Sequence, residues 1–413
     1  MNRPGRRSNF AVIVTLGMLI GLNPFSIDMY LPGFESIAAD LGTDTATVGL
    51  TLSSFFAGIC LGQVIYGPLL DRFGRKKPLL VGLMVFFCAS VVAAFAVSIE
   101  QLVVVRFVQA LGGCAGMVAS RAFVRDIFPA EENAKVFSLL ILVMGVAPII
   151  APSVGSFIVT TLGWHAIFVT LALIAAAILT AVVIVLPEPK APDPSVSLSP
   201  LKVLAGYVGV ARNARYFLFA LATAFSTAAM FAYITSSPIL FMKIHGLTEF
   251  QFGATFSFCA FCLIVGSQVN RLMLRKLSTS RMAELTGMAI VAVSLFLLLL
   301  NLSSLAGLAV TIICIAAFLF FMGMFNPNTG ALSLTSVDEK IGMASALMGF
   351  IQMGLSAVAA AVVSSLSNGS ANTMSWVISG CIAIAVGCVF AARFVDRHVQ
   401  EPGELAHTTI QEC

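Results

Sequence analysis

Apolar residues fill twelve continuous stretches of this chain, each about 18 to 27 residues long, with short polar segments between them and no sustained alternation of apolar and polar positions. The stretches lie near 9–32, 46–70, 78–98, 101–120, 136–162, 165–187, 216–241, 252–269, 282–302, 305–326, 342–367 and 374–394. Runs of that length cross a ~30 Å hydrocarbon core as helices. Lipid offers the backbone no hydrogen-bond partner, so only helices or closed barrels span it, and barrels would show alternation. The pattern therefore predicts an all-α polytopic membrane protein of twelve transmembrane helices. Between the sixth and seventh runs, Pro187, Pro189, Pro192, Pro194 and Pro200 stand among Lys190, Asp193 and Lys202. This break predicts an N-terminal six-helix bundle over 1–187, a cytoplasmic linker over 188–215, a C-terminal six-helix bundle over 216–396 and a cytoplasmic tail over 397–413.

Composition agrees with a lipid-facing surface: 59% of the 413 residues are apolar, 10% are charged and the mean hydropathy is +1.00, against about 25% charged residues in soluble domains. The net charge of +4 follows membrane topology and gives no reason to expect nucleic acid. Lys and Arg are retained on the cytoplasmic side, and 21 of the 23 basic residues fall in termini and loops of one face, from Arg3, Arg72 and Arg75 to Lys340 and Arg397. Lys243 falls in a loop of the other face and Arg106 inside a span. Both termini are thus expected in the cytoplasm. The first run shows no small-residue cleavage site and is expected to remain as a span. Eight of the nine cysteines lie in apolar runs, where a thiol packs as a small hydrophobe; Cys259 and Cys262 have C-x-x-C spacing without flanking ligands. His165 and His245 have no metal-ligand spacing, and neither a Walker loop nor a catalytic triad spacing occurs. No metal, cofactor, ATP-driven step or enzymatic chemistry is expected.

The most specific motif is Gly67-Pro-Leu-Leu-Asp71-Arg72-Phe-Gly74-Arg75-Lys76 after the second run. Gly74 permits a tight turn, and Asp71 with the basic cluster can pair across helix ends or cap them. A degraded counterpart, Gly266-Ser-Gln-Val-Asn270-Arg271 followed by Arg275-Lys276, lies 199 residues later (271 − 72). Parallel six-span repeats with a site between them are a transporter architecture. Ionisable residues inside a bilayer are costly and usually functional, and Asp28 and Arg106 are the clearest two. Depths of roughly 6 and 9 Å from the outer ends of their spans, at 1.5 Å per residue, put them at similar heights. No other carboxylate is well inside a span, so Asp28 is expected to bind the coupled proton and Arg106 to control its affinity for it, a permanent structural ion pair or an interfacial Asp28 being the alternative. Tyr30, Gln63, Gln109, Phe231, Tyr233, Asn326, Asn328 and Gln352 are polar or aromatic residues within spans and are candidates to line a substrate cavity, packing being the alternative for each.

The loop motif resembles the signature of the major facilitator superfamily. The resemblance implies that Gly67, Asp71, Arg72, Gly74 and Arg75 form a cytoplasmic latch between the two bundles, with Asp126 a partner of the basic cluster. The stretches Ser26-Ile-Asp28-Met-Tyr30-Leu-Pro32, Arg106-Phe-Val-Gln109-Ala, Val124-Arg125-Asp126, Ala147-Pro148-Ile-Ile-Ala151-Pro152-Ser-Val-Gly155, Gly163-Trp164-His-Ala-Ile-Phe168, Ser237-Pro238 and Gly342-Met-Ala344-Ser345-Ala346-Leu-Met-Gly349-Phe-Ile-Gln352 resemble the bicyclomycin and chloramphenicol resistance branch of drug:proton antiporters, over essentially the whole chain. Pro148, Pro152 and Gly155 are similar to the motif that separates antiporters from symporters, with Ala151 and Ser156 where glycines are commoner. The implied function is proton-coupled efflux of small hydrophobic drugs across the bacterial inner membrane by a monomer. A metabolite, amino-acid, sugar or siderophore transporter of the same superfamily, or a non-transporting receptor, is the alternative.

Overall fold

The structure is a computed structural model and describes residues 6–195, 200–303, 305–337, 341–367 and 370–408. Arg3 and Lys340, which enter the topology argument, and Cys413 lie outside them. The chain is built from helices α1 (Arg6–Asp28), α2 (Phe34–Asp40), α3 (Thr45–Phe73), α4 (Lys76–Ala93), α5 (Ile99–Ile127), α6 (Ala130–Leu162), α7 (His165–Val185), α8 (Pro200–Ala211), α9 (Ala214–Pro238), α10 (Glu249–Met273), α11 (Thr279–Leu302), α12 (Leu308–Leu334), α13 (Ile341–Ser365) and α14 (Asn372–Thr408). A 3-10 turn, Leu31–Gly33, joins α1 to α2, and a π-helical turn, Ile239–Ile244, prolongs α9. Among the described residues there are twelve spans long and apolar enough to cross a membrane, and the protein is a multi-pass all-α membrane protein.

The boundaries depart from the apolar runs in a systematic way. α5 continues through Arg121, Arg125 and Asp126 to Ile127, and α12 through Asn328 to Leu334. A helix keeps its backbone bonds in water as well as in lipid, so hydropathy marks where lipid ends and not where the helix does. The stretch read as a polar linker contains α8, and the last helix runs on to Thr408, past the expected start of the tail. The starts are set by caps: Asp44, Ser98, Asn213 and Ser278 each accept a backbone N–H of the first turn, and Thr248 with Gln251 forms a reciprocal capping box on α10. The Thr47 N–H on the Asp44 carboxylate holds its pKa below the usual value.

Helices packed in lipid gain nothing from hydrophobic transfer between themselves, so close approach depends on small residues. α10 and α12 cross where Gly266 faces the carbonyl of Phe320 and Gly323 faces the carbonyl of Leu263. A methyl group at either position would overlap the facing backbone. Gly266→Ala is expected to cost on the order of 1–3 kcal/mol through overpacking and to lower the melting temperature of the protein in detergent. Gly380→Ala on α14, where an added Cβ meets nothing within 4 Å, is the matched control and should melt as the parent does.

Candidate functional site

A cavity of about 1170 Å³ lies between α1, α6, α9, α10 and α12. Its residues on α10, Phe256, Ala260, Leu263, Ile264, Ser267, Asn270 and Arg271, follow helical spacing, continued by Leu274 just past the helix end, and so do Lys135, Ser138, Leu142, Gly145 and Pro148 on α6. Lys135, Arg271 and Arg275 are exposed and form the mouth, at the end of the bundle that carries the basic loops. From Lys135 to Pro148 the wall climbs ~20 Å at 1.5 Å per residue. Asp28 closes the chain's first helix and is 3% exposed; it is the one carboxylate among the described lining residues.

Beyond Pro148 the same two walls come together. Ser156 Oγ donates to the Glu249 carbonyl at 2.7 Å, Ser257 Oγ donates to the Ile149 carbonyl at 2.6 Å, and the hydroxyls of Ser153 and Ser257 lie 3.3 Å apart. Pro152 and Ser156 pack on Gly253. α3 and α13 seal along another seam, with Ser53 Oγ donating to the Ala357 carbonyl at 2.7 Å and Gln63 against Gly349. The cavity is therefore open at the basic end and closed at the opposite one.

Gly155 has a particular place in this arrangement. A Cβ there would stand 2.8 Å from Cα of Met29, the residue after Asp28. Its lack of a side chain lets α6 lie directly on the backbone that holds the buried carboxylate. Pro148 lines the cavity, and Ala151 is fully buried.

The expected proximity of Asp28 and Arg106 takes a different form. Arg106 is buried with Nη1 donating to Gln109 Oε1 at 2.7 Å and Nη2 to the Ser26 carbonyl at 3.1 Å, and its guanidinium lies 4.7 Å from the Tyr30 ring centre and 4.2 Å from that of Phe55. Gln109 in turn donates to Ser90 Oγ at 2.8 Å. No ion pair joins Arg106 to Asp28 among the described residues. The reason is local: Ser26 carries one of the last four carbonyls of α1, which lack a helical donor and form the negative end of the helix dipole. The guanidinium takes that carbonyl and the aromatic faces, while Asp28 turns to the cavity.

Of the eight residues expected to line the cavity, Phe231 and Tyr233 do so. Phe231 packs with its ring tilted 50° against Phe56 of α3 at 4.3 Å, and Tyr233 lies parallel to Phe256 at 5.8 Å. The other six are placed elsewhere. Tyr30 and Gln109 are buried around Arg106, with Thr51 Oγ1 donating to the Tyr30 hydroxyl at 3.0 Å. Gln63 lies in the α3–α13 seam, Asn326 bonds Ser226, and Asn328 Nδ2 donates to Asn270 Oδ1 at 2.7 Å. Gln352 is half-buried outside the cavity lining. Polar groups in a bilayer seek helix–helix partners wherever they can, so polarity within a span does not distinguish a cavity wall from a packed seam. Leu142, Phe256 and Ile264 were missed for the converse reason. Their helical spacing was visible, but an apolar stripe facing a cavity reads the same as one facing lipid.

At the basic end the signature loop is centred on Arg75, which is 2% exposed. Its Nη1 donates to Asp71 at 2.9 Å and its Nε to Asp126 at 2.7 Å. Arg72 lies over the Phe73 ring, and Gly67 meets nothing within 4 Å of an added Cβ. Gly74 has φ +83°, which favours glycine. Glu188, given no role by the sequence, accepts the backbone N–H groups of Arg75 and Lys76 at 2.7 and 2.9 Å. The signal that could have found it is an acid set between Pro187 and Pro189 immediately after a span.

A family model described as Major Facilitator Superfamily matches residues 16–361. The "Bicyclomycin resistance protein homolog" of Haemophilus influenzae is 30% identical over 381 residues, which is 92% of this chain and 96% of that protein. The "Multidrug resistance protein MdtL" of Escherichia coli is 31% identical over 244 residues, 59% of this chain and 61% of its own. Among solved structures, a bacterial homolog of the human lysosomal transporter Spinster, inward-facing and unoccupied, superposes with a TM-score of 0.72 at 13% identity, covering 94% of this chain and 98% of that one.

The geometry predicts a sharp contrast in accessibility. In a background with the native cysteines replaced, Leu142→Cys in the cavity wall should react with a water-soluble maleimide at least tenfold faster than Gln109→Cys, measured in detergent. Equal rates would mean that the cavity is not the aqueous compartment of this state.

Proposed function

The chain belongs to the major facilitator superfamily, and from that premise we propose that it exports small, largely hydrophobic compounds from the cytoplasm in exchange for protons. The observation that carries this reading is one buried carboxylate, Asp28, at the blind end of a largely apolar cavity that opens at the basic end. The names of the Haemophilus and Escherichia relatives support drugs as the cargo. The positive-inside rule supports a cytoplasmic basic end and cytoplasmic termini, and the bacterial relatives support insertion in a bacterial inner membrane.

Export in this scheme rocks the first six spans against the last six. Cargo enters at Lys135, Arg271 and Arg275 and rests against Phe231, Tyr233 and Phe256. The outer seam of Ser153, Ser156 and Ser257 then parts while the basic end closes. A proton and the cargo use the Asp28 region in turn, and Arg106 holds the end of α1 so that the carboxylate stays in register with the cavity. The Asp71–Arg75–Asp126 cluster shapes the loop that latches the cytoplasmic side. The transporter works as a monomer.

Asp28→Asn should insert normally and lose proton-driven chloramphenicol efflux, and binding of that neutral compound should lose its pH dependence. Parental efflux by Asp28→Asn in inside-out vesicles would reject the assignment. Asp71→Asn should slow transport while leaving binding of the compound within about twofold, because the loop lies roughly half a bilayer from the cavity's blind end. For topology, membrane-impermeant maleimide added from the periplasmic side should leave Cys413 unlabelled. Its labelling in intact spheroplasts would invert the orientation.

A further inference from the structure

The segment that follows the sixth span is bound to the signature loop through several contacts. Glu188 accepts two N–H groups at the start of α4, Lys190 Nζ reaches Asp71 Oδ1 at 3.2 Å, and the Asp193 N–H donates to the Arg72 carbonyl at 3.1 Å. From the other side, Lys76 Nζ donates to the Val183 and Leu186 carbonyls at 2.9 and 2.8 Å, at the C-terminal end of α7. Gly74 fits this arrangement twice over. It takes a positive φ, and a Cβ at that position would stand 3.1 Å from the Glu188 carboxyl carbon.

A carboxylate on two free N–H groups of a first turn is a charge-assisted cap, favoured by the helix dipole. A cap alone would steady α4. The second contact adds a competition, because Lys190 occupies the acid that the latch uses. In the basic-end-open state described here, Asp71 is 40% exposed and is shared between Arg75 and Lys190. Arg75 belongs to the loop itself, whereas Lys190 belongs to the segment that runs on to α8 and the last six spans. When the basic end closes, a group from those spans that approaches Asp71 competes with Lys190 for the carboxylate.

We propose that Glu188 and Lys190 form an open-state clasp, in which the connecting segment holds the signature loop's acid while the cavity faces the basic end and yields it when that end closes. Glu188 is a positioning residue: it fixes the segment and the start of α4, and so brings Lys190 within reach of Asp71. Lys190 sets how readily the loop is released. The proposal rests on the alternating-access reading, and its test reads conformation without using a transported compound.

The readout is alkylation of Leu142→Cys by N-ethylmaleimide in the purified protein lacking its native cysteines, since this wall position is reached through the open basic end. Lys190→Ala should shift the population toward closure and slow alkylation by up to about fivefold, the range set by an exposed ion pair, and Glu188→Ala by roughly twofold to tenfold, within the range set by a helix cap. Lys190→Arg should restore the parental rate, which a general loosening of the fold would not allow. Lys190 is half exposed, so its replacement tests the clasp even where Glu188→Ala fails to fold. Unchanged or faster alkylation in Lys190→Ala would overturn the proposal. Absence of chloramphenicol efflux by the parent protein would instead count against the transport reading and leave the alkylation result standing.

Discussion

The hydrocarbon interior supplies no hydrogen-bond partner, and each backbone amide placed there must be satisfied within its own helix. Once that demand is met the helices are nearly self-contained rods. What remains adjustable is where rods cross and where their few polar side chains are used. Crossings in this protein are made by removing side chains, as at Gly266 and Gly323, or by placing a small residue on a neighbouring backbone, as at Gly155 on Met29. Such contacts depend on shape, and a single methyl group disturbs them.

Polar groups then divide into three uses. Some fasten one helix to another for good, as Arg106 does by taking the Ser26 carbonyl and Gln109 in an aromatic surround. The end of α1 is thereby fixed by a cation that has no carboxylate partner among the described residues, and Asp28 two residues later is left to the cavity. Others close seams with single hydroxyl-to-carbonyl bonds, as Ser156 and Ser257 do between α6 and α10. A third group sits at the basic end, where water is near and ion pairs such as Lys190–Asp71 can exchange partners at little cost.

How much of this was legible follows from the same division. Twelve spans, their order and the basic loops were legible because hydropathy and charge respond directly to the bilayer, which is the same for each helix. Asp28 was legible because a buried acid in a span is rare. The pairing of Asp28 with Arg106 was not, since residue depth along a helix is readable from sequence whereas the rotation of the helix is not. The cavity walls on α6 and α10 failed for a related reason: Ile264 and Leu142 look alike whether they meet lipid, a neighbouring helix or a substrate. The signature loop was legible as a motif, but its contact with Glu188 joins positions more than 110 residues apart and becomes visible only once α4 and α7 are side by side.

A transporter that alternates must have one set of contacts that never opens and another that opens easily, and the two can be told apart by their chemistry. Arg106 loses several partners at once if it leaves its site, with no water to replace them, so that region can move only as a block. The α6–α10 seam at the closed end consists of a few hydroxyl bonds, each worth on average about 0.6 kcal/mol where such interhelical bonds have been measured in membranes. Because Ser156 Oγ also bonds the Pro152 carbonyl of its own helix at 2.9 Å, its hydroxyl is not left unsatisfied when the seam parts. That internal alternative lowers the cost of parting the contact between Ser156 and the Glu249 carbonyl, because the hydroxyl keeps an acceptor within its own helix.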